Sequence, residues 1–245
     1  MGALVGGIYA AGKLAEFREW MKTVNRWTLF SLADPSLSLN HLIEGKKVME
    51  TLSTIVPDMN IEDLPIPFCA VSTDWEHGEE VVFRKGSLLE AIHSSISLPG
   101  FFNPVRPDGR VLIDGGVLNP IPLNRVMRKE NDLLVGIDVS GYDYDGQQRT
   151  QRALAARRKR SRNPLKRMIP DGRKINYISL LTRASSLMIR QNSKLMVELM
   201  QPDILVDIQM SRYSGTDYDK SVQIIEIGRK RTRQTLERVA FNTTH

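Results

Sequence analysis

Short apolar runs alternate with helical patterns along most of the chain, and this alternation constrains the fold more than any other feature. Apolar runs at 67–73 and 133–139 predict buried strands, while apolar residues spaced three and four apart predict helices such as 175–200. Strands that alternate with helices favour a mostly parallel sheet covered by helices on both faces. We therefore expect a three-layer α/β fold, built as one domain over residues 1–245.

The cysteine count and the hydropathy pattern indicate the cellular location of the protein. Cys69 is the only cysteine, so an internal disulfide is excluded and a reducing compartment is favoured. No apolar stretch reaches the roughly 20 residues that a membrane-spanning helix needs. The first residues lack the basic start and cleavage pattern of a secretory signal. We expect a cytoplasmic location, and a targeting segment upstream of Met1 stays open.

The positive charge is concentrated in one segment. The net charge is +6, yet residues 149–174 hold eleven Lys/Arg and one acid, which gives this segment +10 and leaves −4 for the rest. Residues 141–174 show no apolar periodicity, which predicts a mobile basic insertion in the domain. Residues 149–174 contain no aromatic side chain on which bases stack, so we expect no nucleic-acid partner. A solvated loop and a peripheral contact with an anionic membrane are the two interpretations that remain.

An acidic residue followed by two glycines ends another predicted strand. Val111–Ile113 predicts a strand, and Asp114, Gly115 and Gly116 follow it. Open α/β sheets bind ligands beyond the carboxyl ends of their strands, and glycines there allow a sharp turn and a close approach. By itself the triplet is a weak signal, because Asp-Gly is common in ordinary turns.

The residues around this triplet resemble the patatin-like phospholipase family. Residues 95–105 follow the family's S-x-[S/A]-[I/L]-P-G-x-F-x-P-V. Residues 109–122 resemble its approximate pattern G-x-x-[L/Y]-x-D-G-[G/A]-x-x-x-N-x-P, with Asn119 one position earlier than the Asn of the pattern. The chain departs from the family at His93 and Ser94, where Arg and Ala are usual. We interpret His93 as a helix residue with no part in catalysis.

The start of the chain resembles the same family. Met1 and Gly2 match the fourth and fifth positions of its G-x-S-x-G motif, and the small-residue helix that follows the motif matches as far as Gly12. The nucleophilic serine would therefore stand directly before Met1. The resemblance extends from residue 1 to roughly 240 but lacks the first strand, the glycine-rich oxyanion loop and the serine, so we expect a chain truncated just after its nucleophile.

The resemblance implies a lipid acyl hydrolase that works through a Ser–Asp dyad. Asp114 would be the base, and the substrates would be acyl esters of phospholipids, lysophospholipids or neutral lipids. No cofactor and no metal are implied. Four residues of the 95–105 stretch are candidates to line an acyl channel, and ordinary core packing is the alternative interpretation. They are Pro99, Gly100, Phe101 and Phe102.

Two further hypotheses follow from the sequence. The chain by itself lacks the nucleophile and is expected to be inactive, so an alternative function is a catalytically inactive domain that binds a lipid membrane or a protein partner. Asp74, Glu76 and His77 stand close together, but their spacing fits no specific metal site, and we expect a solvated turn.

Overall fold

Helices and strands follow one another along the part of the chain that the computed structural model describes, namely residues 1–24, 45–99, 102–141, 177–210, 213 and 220–243. The helices there are α1 (Gly2–Ala10), α2 (Leu14–Thr23), α3 (Gly45–Ser53), α4 (Leu88–Ile96), α5 (Tyr177–Met200) and α6 (Ser221–Thr243). The strands are β1 (Ala70–Asp74), β2 (Glu79–Phe83), β3 (Leu112–Asp114), β4 (Val135–Asp138) and β5 (Ile204–Asp207). The predicted α/β class is confirmed.

The strand pairing differs from the predicted mostly parallel sheet. Within the described residues, β2, β1 and β3 form an antiparallel sheet in that order, and only β4 and β5 pair in parallel. The physical reason lies in the β1–β2 connection, which the four residues 75–78 make. Strands joined by so short a turn must run antiparallel, because a parallel pair needs a crossover of a dozen residues or more.

A side-chain cap closes this β1–β2 turn. Asp74 accepts hydrogen bonds at Oδ1 from the backbone N–H groups of Glu76, at 3.0 Å, and His77, at 3.1 Å. Gly78 follows with a φ of +67°, a left-handed conformation that favours glycine. The predicted turn is present, and no group of three or more His, Cys, Asp or Glu able to hold a metal occurs among the described residues.

The sequence Ser87-Leu88-Leu89-Glu90 is an S-x-x-E capping box, which predicts a helix start, and helix α4 begins there. The Ser87 hydroxyl accepts a hydrogen bond from the Glu90 N–H at 3.0 Å and donates to the Asp58 carboxylate at 2.9 Å. Asp58 also accepts from the Leu89 N–H at 3.2 Å. Two of the free N–H groups of the first turn are thereby satisfied. This fixes the start of the helix that leads to the site.

Small residues recur at spacings of three and four on one side of α1, which predicts close packing onto a neighbouring strand. In the structure Gly7 packs closely against a helix instead. A Cβ built on Gly7 would lie 2.9 Å from Ile92 Cδ1 and 3.1 Å from Leu88 Cδ1, both on α4. The α1–α4 contact belongs to the main buried core, which α2, α3 and β1 join through Phe17, Leu52 and Ala70.

The apolar sequence of β4 predicts burial on both faces, but the structure buries only one of them. Gly136 faces Leu123 and Leu205, whereas Val135 and Ile137 on the opposite face are 49% and 57% exposed. The exposure alternates along β4 because, among the described residues, Ile121, Leu123 and Leu205 lie against the face of Gly136, whereas Val135 and Ile137 stay about half exposed. None of the described helices is long and apolar enough to cross a bilayer. The predicted basic insertion lies outside the described residues apart from Gly141.

Candidate active site

The backbone of Asp114 is held from two sides at the end of β3. Its N–H donates to the carbonyl oxygen of Ser97, just past the end of α4, at 3.0 Å. Its carbonyl oxygen accepts a hydrogen bond from the Thr73 hydroxyl on β1 at 3.1 Å. Hydrogen bonds thus connect the end of β3 to the end of α4 and to β1. They fix the backbone position from which the Asp114 side chain extends.

The two glycines after Asp114 perform different tasks. The Gly116 N–H donates to Asp114 Oδ1 at 2.6 Å, so the carboxylate caps its own turn. Gly115 lies against the backbone of β1: a Cβ there would overlap the Val71 carbonyl oxygen and lie 2.6 Å from its carbonyl carbon. Since the obstacle at Gly115 is main chain, no rotamer change relieves it.

We expect Gly115→Ala to lower the free energy of unfolding by roughly 3 kcal/mol, because the overlap must displace β1 from β3. Urea denaturation followed by circular dichroism measures the change. Gly2→Ala is the matched control, since a Cβ at Gly2 meets nothing within 4 Å and alanine favours a helix. A Gly115→Ala protein as stable as Gly2→Ala would contradict this account of the turn.

The amino group of Met1 lies near Asp114 and shapes its electrostatics. Burial raises the pKa of Asp114, and this effect outweighs the Met1 ammonium charge and the Gly116 N–H, which both lower it. Burial likewise lowers the pKa of the Met1 amino group against the opposing charge of Asp114. The Met1 side chain is exposed although its amino group is buried. A carboxylate with a raised pKa is the form suited to accept a proton.

Helix α1 begins at this point, because Met1 is its N-cap and Gly2 its first residue. The unpaired N–H groups and the positive end of the helix dipole therefore lie at the end of α1 whose amino group interacts by charge with the Asp114 carboxylate. Such a helix N-terminus favours negative charge, as in an oxyanion that develops during acyl transfer. The structure thus places the sequence-predicted residues Asp114, Gly115 and Gly116 in one turn, and Met1 and Gly2 at the start of α1, whose amino group interacts by charge with Asp114.

A polar network that the sequence analysis did not predict supports the segment after the two glycines. The Asn119 side chain donates to Glu80 on β2 and to Asn124, both at 2.9 Å, and the Asn119 N–H donates to the Gly115 carbonyl at 2.8 Å. Arg125 makes a salt bridge with Glu80. Glu80 thereby joins the β1–β2 hairpin to the Asp114 turn. The sequence Asn119-Pro120-Ile121-Pro122 is the signal that pointed to this loop.

The predicted channel residues are only partly described. Pro99 is exposed and Phe102 is half-buried, while Gly100 and Phe101 lie outside the described residues. His93 is half-buried on α4, and burial lowers its pKa, in agreement with a neutral helix residue. The sequence around Cys69 is apolar and predicts a buried core residue. In the structure Cys69 is half-buried, and its thiol lies 3.8 Å from the Arg125 carbonyl oxygen.

An apolar cavity of about 1140 Å³ adjoins α1. Met1, Val5 and Tyr9 line it from one face of α1, and all three side chains are about half exposed. Its other walls come from α2, α6 and the ends of β4 and β5, through residues that include Phe17, Met21, Val139, Ile208, Met210 and Ile224. Neither Pro99 nor Phe102 lines this cavity, and the sequence offered no signal for it.

Fold and site together define an α/β domain with a buried carboxylate at a strand end, beside the N-terminus of a small-residue helix. The sequence profile of the patatin-like phospholipases matches residues 1–127. Because that match covers more than half of the chain, the protein belongs to the patatin-like phospholipase family.

Curated relatives share the same region. An uncharacterized NTE family protein of Mycobacterium tuberculosis is 41% identical over 141 residues, which are 58% of this chain and 39% of the relative. The counterpart from Mycobacterium bovis matches equally. Neuropathy target esterase of Drosophila melanogaster is 29% identical over 150 residues, which cover 58% of this chain and 10% of that protein. The chain thus spans well under half of the length of these relatives.

Proposed function

We propose that this chain is the larger part of a lipid acyl hydrolase domain in which Asp114 is the base of a Ser–Asp dyad. The observation that carries the proposal is the turn that holds the Asp114 carboxylate at the end of β3, together with the charge interaction between this carboxylate and the amino group at the start of α1. A residue that precedes Met1 would lie next to this carboxylate and at the positive end of the helix. A serine there would combine a base and an oxyanion environment. The esterase name of the fruit-fly relative supports the same reaction.

The proposed substrate is an acyl ester of a lipid. Acyl transfer to the serine forms an ester with the enzyme and releases the alcohol, and water then releases the fatty acid. In the first step Asp114 takes the serine proton and passes it to the oxygen of the departing alcohol. In the second step it takes a proton from water and returns it to the serine oxygen. Phe102 and its neighbours Pro99, Gly100 and Phe101 remain the proposed lining of an acyl channel.

A catalytically inactive binding domain is the second candidate, because no G-x-S-x-G occurs in the 245 residues. A fluorophosphonate probe, which reacts covalently with activated serines, separates the two. We expect labelling of a form extended upstream of Met1 by a segment that ends in Gly-Thr-Ser, and no labelling when that serine is alanine. Absence of labelling in the folded extended form would favour the binding domain.

We also propose that residues 149–174 bring the domain to anionic membranes. The proposal rests on the segment's +10 charge against −4 elsewhere. Replacing five of its basic residues with Gln is expected to weaken binding to phosphatidylserine vesicles at least tenfold at low salt, since each basic residue near such a surface contributes about 1 kcal/mol. The replaced residues are Arg157, Arg158, Lys159, Arg160 and Arg162. Vesicle sedimentation at rising salt measures the effect, which screening should diminish.

The matched control removes the same charge from helix α6, at Arg229, Lys230, Arg231, Arg233 and Arg238. If both variants lose vesicle binding equally, net charge and not residues 149–174 determines the association.

A further inference from the structure

A fully buried hydroxyl group lies directly opposite Asp114 in the sheet. Ser72 on β1 is the register partner of Asp114, its exposure is 0%, and its Oγ has no hydrogen-bond partner among the described residues. A buried hydroxyl that makes no hydrogen bond costs roughly 1–3 kcal/mol. Such a group in a native site requires an explanation.

The hydrogen-bond pattern shows how close the two side chains are. The Trp75 N–H donates to the Val111 carbonyl oxygen, so these two residues form a hydrogen-bonded pair. Hydrogen-bonded and non-hydrogen-bonded pairs alternate in an antiparallel ladder, and three steps along it Ser72 and Asp114 form a non-hydrogen-bonded pair. Side chains of such a pair point to the same face, with Cβ atoms about 5 Å apart. A rotation of the Ser72 side chain therefore brings its hydroxyl within reach of the carboxylate.

The Asp114 carboxylate can accept at least one further hydrogen bond. Gly116 N–H occupies Oδ1, and within the described part of the chain no other N–H or O–H group donates to the carboxylate. We propose that the Ser72 hydroxyl is a positioning group for Asp114, to which it donates a hydrogen bond when the carboxylate is ionised. This inference rests on the proposed function, in which Asp114 is the base. Ser72 itself is no substitute nucleophile, since full burial keeps any ester away from it.

Other charged or titratable groups face Asp114 from the neighbouring elements and could affect its pKa. The Met1 ammonium contributes from α1. On β1, Asp74 shares the face of Ser72, but its oxygens accept hydrogen bonds within the β1–β2 turn. On α4, burial lowers the pKa of His93, which keeps the ring neutral. The equally buried Ser94, also on α4 and also without a partner for its Oγ, provides a matched control.

The test is the titration of Asp114 in the 245-residue chain, followed by carbon-13 NMR of the carboxyl group. Ser72→Ala removes a donor to the ionised form and is expected to raise the pKa of Asp114 by about one unit. Ser94→Ala should leave it within about 0.3 units, well below that hydrogen-bond effect. An unchanged or lowered pKa in Ser72→Ala, or an equal rise in Ser94→Ala, would overturn the proposal. No ester is involved, so the outcome is independent of whether the domain hydrolyses lipids.

Thermal melting as a function of pH gives a second readout that a merely structural hydroxyl would not produce. If the hydroxyl only lacks a partner, Ser72→Ala stabilises the protein to the same degree at every pH. If it binds the ionised carboxylate, the variant loses stability relative to the wild type above the titration range of Asp114 and regains it below. In an Asp114→Asn background this pH dependence should vanish. Its persistence there would assign it to another group and overturn the proposal.

Discussion

A form extended upstream of Met1 by a segment that ends in Gly-Thr-Ser is expected to hydrolyse a p-nitrophenyl acyl ester on the order of 10⁶ times faster than the 245-residue chain. The added serine would stand beside the Asp114 carboxylate and at the N-terminus of α1. The chain by itself offers no replacement, because it contains no G-x-S-x-G and Ser72 is fully buried. Release of p-nitrophenol under saturating ester measures the difference.

The serine-to-alanine version of the extension is the control, since it restores every upstream residue except the nucleophile. It should be as inactive as the 245-residue chain. Turnover by the 245-residue chain with kinetics that depend on Asp114 would contradict the assignment of the nucleophile to the position before Met1.

The same extended form should also melt at a higher temperature. Met1, Val5 and Tyr9 leave an apolar stripe of α1 facing the cavity, and Val135 and Ile137 leave one face of β4 exposed. An upstream strand that covers these side chains would stabilise the protein by about 25 cal/mol for each Å² of apolar surface removed from water. Equal melting temperatures would show that the extension does not pack against this surface.

Asp114→Asn in the extended form is expected to lower kcat/KM by a factor of about 10² to 10⁴, the usual contribution of a general base. The amide still accepts a hydrogen bond from the Gly116 N–H, so the turn and the melting temperature should change little. Because burial raises the pKa of Asp114, the acidic limb of the wild-type pH–rate profile should lie above the range of an ordinary aspartate.

Asp74→Asn is the matched control for this substitution. Asp74 is buried on the neighbouring strand and faces the same side of the sheet, but its carboxylate is engaged in the β1–β2 turn. Its replacement should leave kcat/KM within about threefold, far less than loss of a general base. Activity of Asp114→Asn within threefold of the wild type would remove Asp114 from the role of base.

Local sequence patterns predicted the features that neighbouring residues determine. The capping pattern at Ser87 and Glu90 placed the start of α4, and the apolar run before Asp114 placed this carboxylate at a strand end. Features that depend on residues distant in sequence were missed. The antiparallel pairing of β1 with β3, and with it the position of Ser72 opposite Asp114, depends on how three separate segments assemble.

The close packing of Gly7 against α4 was missed for the same reason. Small residues on a helix face indicate that something approaches closely, but they do not specify whether that neighbour is a strand or a helix. The apolar sequence of β4 was equally ambiguous, since its exposure on one face depends on which elements cover it.

The contact of Gly115 with the Val71 carbonyl has a consequence for how this domain tolerates sequence change. The turn that holds the proposed catalytic carboxylate packs against main-chain atoms of Val71, so this contact does not depend on the Val71 side chain. Substitutions at Val71 can therefore accumulate over evolutionary time as long as the strand keeps its path, whereas position 115 admits no side chain at all. In a library of variants, we expect residue 71 to accept several apolar side chains and residue 115 to accept glycine alone.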